Sequence, residues 1–374
     1  MTNERINPKP NLEDKIMKGS KQILWMFLFY LLWLPVSPAS AQLSPAATTS
    51  LICMTRICAR PTWHFSVQVK MPQVLVDKYS LGAYVYAADQ LAAINTRFNA
   101  ASTFSGDFSF DLANFTVFDG SPAAEVAKAH PGYDFALVYE ETDHPQGGWF
   151  GGAQAILHSW CTEAAAANCA GTAGVFNATA TSGLVHEFGH SRGAIDVYNV
   201  SVTNNAINGA SFVADPGIMT NPYSSTTFDA YSASVINHSR GTVYTGAPVV
   251  DAAFPPSFVV QVLGPGGAPV NGVRIDLFAV EWGNNTVHTT SAMTGTSASN
   301  TWTLPHNPFA PGSGGQPWNV AAPNFLVRAR GGLFNAYVGY AWLPLTAVGN
   351  AFFANASAPY VLTVNASPQL FPTR

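Results

Sequence analysis

The sequence predicts an α+β domain followed by an all-β sandwich. The chain has 374 residues, which is long enough for two domains. Residues 61–250 mix stretches of strand-like alternation with stretches of helical periodicity, whereas residues 255–374 contain only short strand-like stretches separated by turn residues. The composition changes at the sequence Phe254, Pro255, Pro256, so we place the boundary between the two domains there.

The first domain is predicted to pack helices on a sheet. Residues 65–70 alternate apolar and polar side chains, as expected of a strand, and residues 79–98 carry apolar side chains at helical spacing. The further predicted elements are strands at 108–118 and 134–139 and a short helix at 123–130. Residues 199–250 are rich in Asn, Ser and Thr and lack periodicity, so we expect them to form functional loops.

The second domain is predicted to be an antiparallel sandwich. Residues 258–263 and 273–278 form a strand pair joined by the Gly/Pro-rich turn 264–269. Short strands at regular intervals with turn residues between them are typical of sandwiches. The remaining predicted strands are 301–304, 325–329, 336–343 and 360–364.

The charge pattern argues against a nucleic-acid partner. Charged residues make up only 10% of the chain, against about a quarter in average proteins. The formal net charge is −4, and no basic run occurs beyond the N-terminus. Proteins that bind nucleic acid cluster positive charge on one surface. Because this sequence lacks such a cluster, we expect no nucleic-acid partner.

The N-terminal residues predict export. Lys18 and Lys21 precede an apolar run at 23–34, and the small residues of 39–41 form a signal-peptidase site. We therefore assign 1–41 as a signal peptide, with 42–60 as a linker or propeptide remnant, and expect a secreted or periplasmic protein. The apolar run is too short for a comfortable membrane span, although an uncleaved signal anchor is the alternative.

The four cysteines follow the predicted signal peptide and are an even number in an exported chain. Local pairing, Cys53 with Cys58 and Cys161 with Cys169, is the simplest of the three connectivities that four cysteines allow. A structural zinc site built from the same four residues is the alternative. Spacings of four and seven intervening residues fit such a site poorly, which favours disulfides.

The strongest chemical signal is a pair of histidines four residues apart, His186 and His190. On a helix they project from one face, so their imidazoles can bind one metal ion, and Glu187 can reach a water at that ion. A catalytic zinc has three protein ligands and an open position. A left-handed conformation at Gly193 would reverse the chain and bring Asp196 back as the third ligand.

Three alternatives stay open for this segment. His238 is a reserve third ligand in the loop region, and Glu281 is the only other downstream glutamate, although it lies in the second predicted domain. In the third alternative, a buried helix uses its histidines only for core hydrogen bonds. The helix itself is expected to begin near Thr179 to Ser182, whose hydroxyls can cap its first turn.

The segment resembles the metzincin zinc-binding consensus HExxHxxGxxD, in which aspartate is the third ligand. The matching residues are His186, Glu187, His190, Gly193 and Asp196. Residues 215–220, with Met219 at the centre, look like the methionine turn beneath the metal in that clan, and the HEFGHS wording is similar to the IgA-cleaving peptidase group. The resemblance covers about the middle third of the chain. It implies a zincin-like catalytic domain with a mixed twisted sheet, an active-site helix and one catalytic Zn²⁺.

The resemblance also raises the question of a tyrosine near the metal. Several metzincins have a tyrosine two residues after the methionine that binds the metal or the transition state. Here Tyr223 lies four residues after Met219, so it is a weak candidate, and Tyr198 is no better.

A substrate strand is predicted from Gly147 to Leu157. Glycines in a strand permit another backbone to approach closely, so a strand of this kind at a sheet edge would pair with an extended peptide. A loop that only changes direction is the alternative. The sequence leaves the oligomeric state open.

The functional hypothesis is a secreted zinc endopeptidase with one Zn²⁺ held by His186, His190 and Asp196 and with Glu187 as the general base. The second domain resembles the immunoglobulin-like or prealbumin-like accessory modules of secreted enzymes. The competing hypothesis is a surface or matrix-binding protein with a vestigial zinc domain. The presence of Glu187 argues against it, since binding alone does not require that residue.

Overall fold

A computed structural model describes residues 60–242, 253–310, 321–331 and 336–368. The predicted signal peptide, the linker up to residue 59 and the Cys53–Cys58 pair lie outside these residues. Within them, no helix combines the length and the apolar character that a membrane crossing needs. The structure has both helices and sheets, which confirms the α+β class.

The first sheet has five strands in the order β2, β1, β3, β5, β4. Strands β1, β2, β3 and β5 pair in parallel, and the short strand β4 pairs antiparallel with β5 at one edge. This confirms the strands predicted at 65–70, 108–118 and 134–139. Their bounds are β1 Thr62–Pro72, β2 Asp107–Phe118, β3 Phe135–Thr142, β4 Gly147–Phe150 and β5 Ala155–Cys161.

The helices are shorter or more numerous than predicted. The helix predicted at 79–98 is found at Gly82–Ala100, and a separate helix that was not predicted, Gln73–Tyr79, precedes it. The two are separated by a break at Ser80, which has a φ of 52°. The short helix predicted at 123–130 ends at Val126, and α5 and α6 were not predicted. The helices are α1 Gln73–Tyr79, α2 Gly82–Ala100, α3 Pro122–Val126, α4 Ala178–Ser191, α5 Ala230–Ser239 and α6 Leu345–Ala354. Short 3₁₀ segments occur at Glu163–Cys169 and Val197–Val200.

An aromatic core holds α2 and α4 on one face of the first sheet. Phe110 of β2 contacts Phe98 of α2 with ring centroids 5.3 Å apart, and Phe188 of α4 with centroids 4.4 Å apart. Phe188 also contacts Phe135 of β3. All four rings are buried, and burying each contributes about 1.5–3 kcal/mol to stability. This packing fixes the position of α4, which carries the histidine pair.

The second sheet has seven strands in the order β8, β7, β10, β11, β12, β6, β9. The sheet is nearly closed, because its two end strands lie against each other. A Cβ atom added to Gly295 of β8 would lie only 2.0 Å from the Trp302 ring of β9. The strands are β6 Phe258–Leu263, β7 Arg274–Ala279, β8 Met293–Thr296, β9 Thr301–Thr303, β10 Asn324–Gly331, β11 Tyr337–Pro344 and β12 Tyr360–Pro368.

Two predictions for this region were wrong. The sandwich was predicted to be all-β and antiparallel, but helix α6 lies between β11 and β12, and β6 pairs with β12 in parallel. Helix α6 packs on α5, where the Tyr231 ring occupies the space that a Cβ on Gly349 would need. Strand β8 was also missed. The β6–β12 pairing joins segments about a hundred residues apart, which local alternation does not reveal.

One of the two predicted cysteine pairs lies within the described residues and is confirmed. Cys161, the last residue of β5, forms a disulfide with Cys169 at the end of the first 3₁₀ segment. The bridge closes a short excursion beside β5. It is a disulfide and not part of a zinc site.

Candidate metal centre

Helix α4 begins with a side-chain cap, although at a different residue from the one predicted. Asn177 is the N-cap, and its Oδ1 accepts a hydrogen bond of 2.8 Å from the backbone N–H of Ala180. The hydroxyls of 179–182 were predicted for this role. Of these, Thr181 and Ser182 instead donate to backbone carbonyls four residues earlier. The cap places His186 and His190 on a buried face of the helix.

The three predicted ligands converge on one point. Nε2 of His186 lies 3.0 Å from Nε2 of His190, and Oδ1 of Asp196 lies 3.1 Å from each of them. Gly193 has the predicted left-handed conformation, with a φ of 89°, and it reverses the chain after α4. These three residues form the one group of His, Cys, Asp and Glu side chains with metal-binding spacing in the described part of the chain.

The protonation of the imidazoles makes this group suited to a cation. Nδ1 of His186 donates to the carbonyl oxygen of Ile218 (3.0 Å), and Nδ1 of His190 donates to that of Ala194 (2.7 Å). Because a carbonyl only accepts, each Nδ1 carries a proton, so each ring in its neutral form directs the lone pair of its Nε2 at the shared point. Two lone pairs and a carboxylate oxygen repel one another unless a cation lies between them.

The separations also fit zinc. Bonds of about 2.0–2.1 Å in a tetrahedron place neighbouring ligand atoms roughly 3.3 Å apart. The separations found here are within a few tenths of an ångström of that value. The residues therefore fit a divalent metal of the zinc type.

The charges in the group stabilise one another. Burial alone would lower the pKa of His190, but the Asp196 carboxylate raises it to about 9. Burial opposes ionisation of Asp196 as well, yet the two neighbouring imidazoles hold the pKa of its carboxyl well below the usual range. Both effects show that this buried pocket favours a positive charge beside Asp196.

Glu187 is buried beside the group and only 8% exposed. Burial raises the pKa of its carboxyl, and its Oε2 has no hydrogen-bond partner among the described residues. Its Oε1 approaches strand β4 so closely that a Cβ on Gly147 would lie 2.6 Å away. Gly147 was predicted to let another backbone approach, and in the structure it makes room for this carboxylate.

Met219 is fully buried beneath the helix. Its sulfur fills the space beside Gly189, where an added Cβ would lie 2.7 Å from it. Its carbonyl accepts a hydrogen bond of 3.1 Å from the backbone N–H of Val197, the residue after Asp196. The neighbouring Ile218 carbonyl orients His186, so this turn contacts both ends of the ligand segment.

The two tyrosines line different cavities, both of which border Glu187. Tyr198 lines a cavity of about 230 Å³ together with all three ligands, Glu187 and the start of β4. Burial and the Asp196 charge raise the pKa of the Tyr198 hydroxyl. Tyr223 lies at a second cavity of about 110 Å³ bordered by Glu187, Gly147 and Trp160. Little in the sequence indicated Tyr198, because it does not lie two residues after the methionine as the tyrosine of several metzincins does.

Two further predictions are resolved by position. His238 is exposed on α5, where its ring lies 5.4 Å from that of Phe353, and it is not part of the metal-binding group. The segment from Gly147 to Leu157 was predicted as one edge strand, with a loop that changes direction as the alternative, and neither description holds for the whole segment. It is a hairpin in which only β4 is the edge strand, and residues 155–157 belong to β5 inside the sheet.

Comparisons with known proteins add little. No protein-family model and no curated protein matches the chain. Among solved structures, a chain from a "Structure of a chaperone-substrate complex" is similar, with 10% identity and a TM-score of 0.32. The match covers 49% of this chain and 35% of that chain. A similarity at this TM-score supports no argument about fold or function.

Proposed function

We propose that the protein is a secreted zinc endopeptidase of the metzincin type. The observation that carries the proposal is the convergence of His186, His190 and Asp196 beside a buried carboxylate, Glu187, whose Oε2 has no partner among the described residues. Export rests on the predicted signal peptide. A site that only stored or bound a metal would not need that carboxylate.

Zinc, when bound by the three ligands, supplies a Lewis acid that polarises a carbonyl and makes water more acidic. Glu187 takes a proton from a water molecule as the oxygen of that water forms a bond to the peptide carbonyl carbon. It then returns that proton to the nitrogen as the C–N bond breaks, which yields a carboxylic acid and an amine. Burial raises the pKa of the Glu187 carboxyl, which makes its carboxylate a stronger base than an exposed one.

Substrate is proposed to bind along β4. This strand pairs with β5 on one side and has no strand partner on the other among the described residues. An extended peptide added to that edge would run past Gly147 and Glu187, which line the same cavity as the ligands. The absence of side chains at Gly147 and Gly148 keeps this edge accessible.

Tyr198 is proposed to donate a hydrogen bond to the developing oxyanion. Its side chain lines the ligand cavity beside Asp196, and a tyrosine hydroxyl is protonated at neutral pH. Tyr223 is the weaker candidate, because its 56% exposed side chain borders the neighbouring cavity and not the ligand group.

The test is digestion of a peptide library by the purified protein, before and after removal of metal with a chelator. We expect internal peptide bonds to be cut, cutting to stop after chelation, and activity to return on addition of zinc. Failure of the metal-loaded protein to cut any peptide in a diverse library would contradict the proposal.

A further inference from the structure

The short segment Val197–Val200, which directly follows the third ligand, is held by residues from the second sheet region. Nδ2 of Asn285 donates to the Tyr198 carbonyl (2.9 Å), and the backbone N–H of Gly283 donates to Oδ1 of Asn199 (3.2 Å). Nδ2 of Asn324 donates to the Val200 carbonyl (3.0 Å). Three consecutive residues are therefore bound by partners 84 to 124 positions further along the chain.

Apolar packing continues this attachment. Val202 forms a buried cluster with Phe278 of β7, Val280 and Leu326 of β10. Phe212 pairs with Val202 through two backbone hydrogen bonds of 2.8 Å and packs against the same cluster. The chain after Asp196 thus runs across the face of the second sheet and is not a free loop.

The other side of the segment is held by the methionine turn. The Val197 N–H donates to the Met219 carbonyl (3.1 Å), and the Asn199 N–H donates to the Asp196 carbonyl (3.1 Å). Asp196 and Tyr198 therefore lie in a turn that is fixed from two directions. The methionine turn holds its beginning, and the second sheet region holds the rest.

We infer that Asn285, Asn324 and Gly283 are positioning residues for the metal site. They hold the 197–200 turn so that the Asp196 carboxylate meets the two imidazoles and the Tyr198 hydroxyl faces the ligand cavity. The second sheet region is then a working part of the site and not a passive accessory. The role at Tyr198 rests on the proposed function. The role at Asp196 can be tested by metal binding alone, without any peptidase activity.

Asn285 offers the cleanest test. Its φ is 55°, a left-handed conformation that glycine adopts without strain, so Asn285→Gly removes the amide donor while permitting the same backbone. The neighbouring Asn284 is exposed, and Asn284→Gly is the matched control for added flexibility in this turn. Asn324 is fully buried, so Asn324→Ala is used only as a second variant in case it folds.

The first measurement is zinc affinity of the metal-stripped full chain, by competition with a chromophoric chelator. We expect Asn285→Gly to weaken zinc binding about tenfold, the range found for groups that orient ligands, and Asn284→Gly to stay within about twofold of wild type. Equal affinities for the two variants would overturn the role assigned at Asp196.

The second measurement is a double-mutant cycle on peptide hydrolysis at saturating zinc. Asn285→Gly is expected to lower kcat about fivefold with KM within about twofold, since one hydrogen bond is worth about that factor. In a Tyr198→Phe background the same change should lower kcat less than about twofold, because the hydroxyl it positions is gone. Independent, multiplicative effects would overturn the role assigned at Tyr198.

The two arms separate this inference from the proposed function. A wild-type chain that binds zinc but cuts no peptide would end the peptidase proposal, and the chelator competition would still decide whether Asn285 positions Asp196. An active wild type whose Asn285→Gly variant matches Asn284→Gly in affinity and kcat would leave the peptidase intact and end the positioning role.

Discussion

The five-stranded sheet ends at β4, whose outer side has no strand partner among the described residues, whereas the end strands of the seven-stranded sheet lie against each other. Each of these sheets has an end strand with a glycine against which a side chain packs. Gly147 in β4 makes room for the Glu187 carboxylate, and Gly295 in β8 makes room for the Trp302 ring. The same residue type therefore accommodates a buried carboxylate in one sheet and an aromatic ring at the closure of the other.

An open strand edge is a liability, because its unpaired N–H and C=O groups invite aggregation. The second sheet removes most of that liability by curling until its ends meet. The first sheet ends in two edge strands, β2 and β4. Side-chain amides of Asn95 and Asn99 in α2 bind the β2 backbone at Phe110 and Phe108, whereas the short β4 edge borders the metal-binding group. The difference supports a peptide as the partner of β4, and it predicts that damage to the two sheets will have different consequences.

The largest expected effect is at the open edge. Glu187→Gln keeps the size of the side chain but removes its ability to accept a proton, so we expect kcat for peptide hydrolysis to fall by about 10²–10⁴. Zinc content by mass spectrometry should remain that of wild type, because Glu187 is not among the three ligands. A variant that retains full activity would remove Glu187 from the mechanism.

The second prediction concerns pH and separates the two sheets. Burial lowers the pKa of His158 in β5 to about 4, below the usual 6.5. The unfolded chain therefore binds a proton that the folded chain does not, and stability falls as pH drops from 6.5 to 4, by roughly 3 kcal/mol. In the second sheet, Asp276 is buried, but Thr294 and Arg328 lower its pKa, so its contribution is lost only below 3.8.

Chemical denaturation of wild type and His158→Gln across this pH range measures the effect. The variant should show a flatter fall in the free energy of unfolding, and the exposed His306→Gln should follow wild type. Equal slopes for His158→Gln and wild type would mean that His158 is not the group that titrates.

The third prediction is a matched pair of substitutions. Gly147→Ala pushes Glu187 from its place, so we expect kcat to fall about 10- to 100-fold with little loss of stability. Gly295→Ala presses on Trp302, so we expect a loss of about 1–3 kcal/mol in unfolding free energy, with kcat retained where the protein is folded. Steady-state kinetics and chemical denaturation of both variants measure the two effects. Equal losses of kcat and of unfolding free energy in the two variants would contradict the prediction.

Sequence analysis located the ligand group because its parts lie within eleven residues. Helical spacing puts His186 and His190 on one face, and the left-handed Gly193 returns Asp196 to them. These are local rules, and they hold regardless of the rest of the chain. Most strands of both sheets were found for the same reason, since the apolar pattern of a strand is also local, but β8 was missed.

The parts that were missed depend on distant residues. Tyr198 lines the cavity from a turn that Asn285 and Asn324 hold by hydrogen bonds. Asn285 is 87 positions from its partner Tyr198, and Asn324 is 124 positions from its partner Val200. Helix α6 is almost wholly apolar and packs on α5 inside a strand-rich region, so neither periodicity nor context indicated a helix. The cap at Asn177 was missed by two residues because hydroxyl residues follow it directly.

The most direct test of the account is calorimetric titration of zinc into the metal-stripped chain, for wild type and for Asp196→Ala. The account predicts one zinc per wild-type chain and affinity weakened at least about a hundredfold without the Asp196 carboxylate. A wild-type chain that binds no zinc, or an Asp196→Ala variant that binds it equally well, would contradict the assignment of this group as the metal centre.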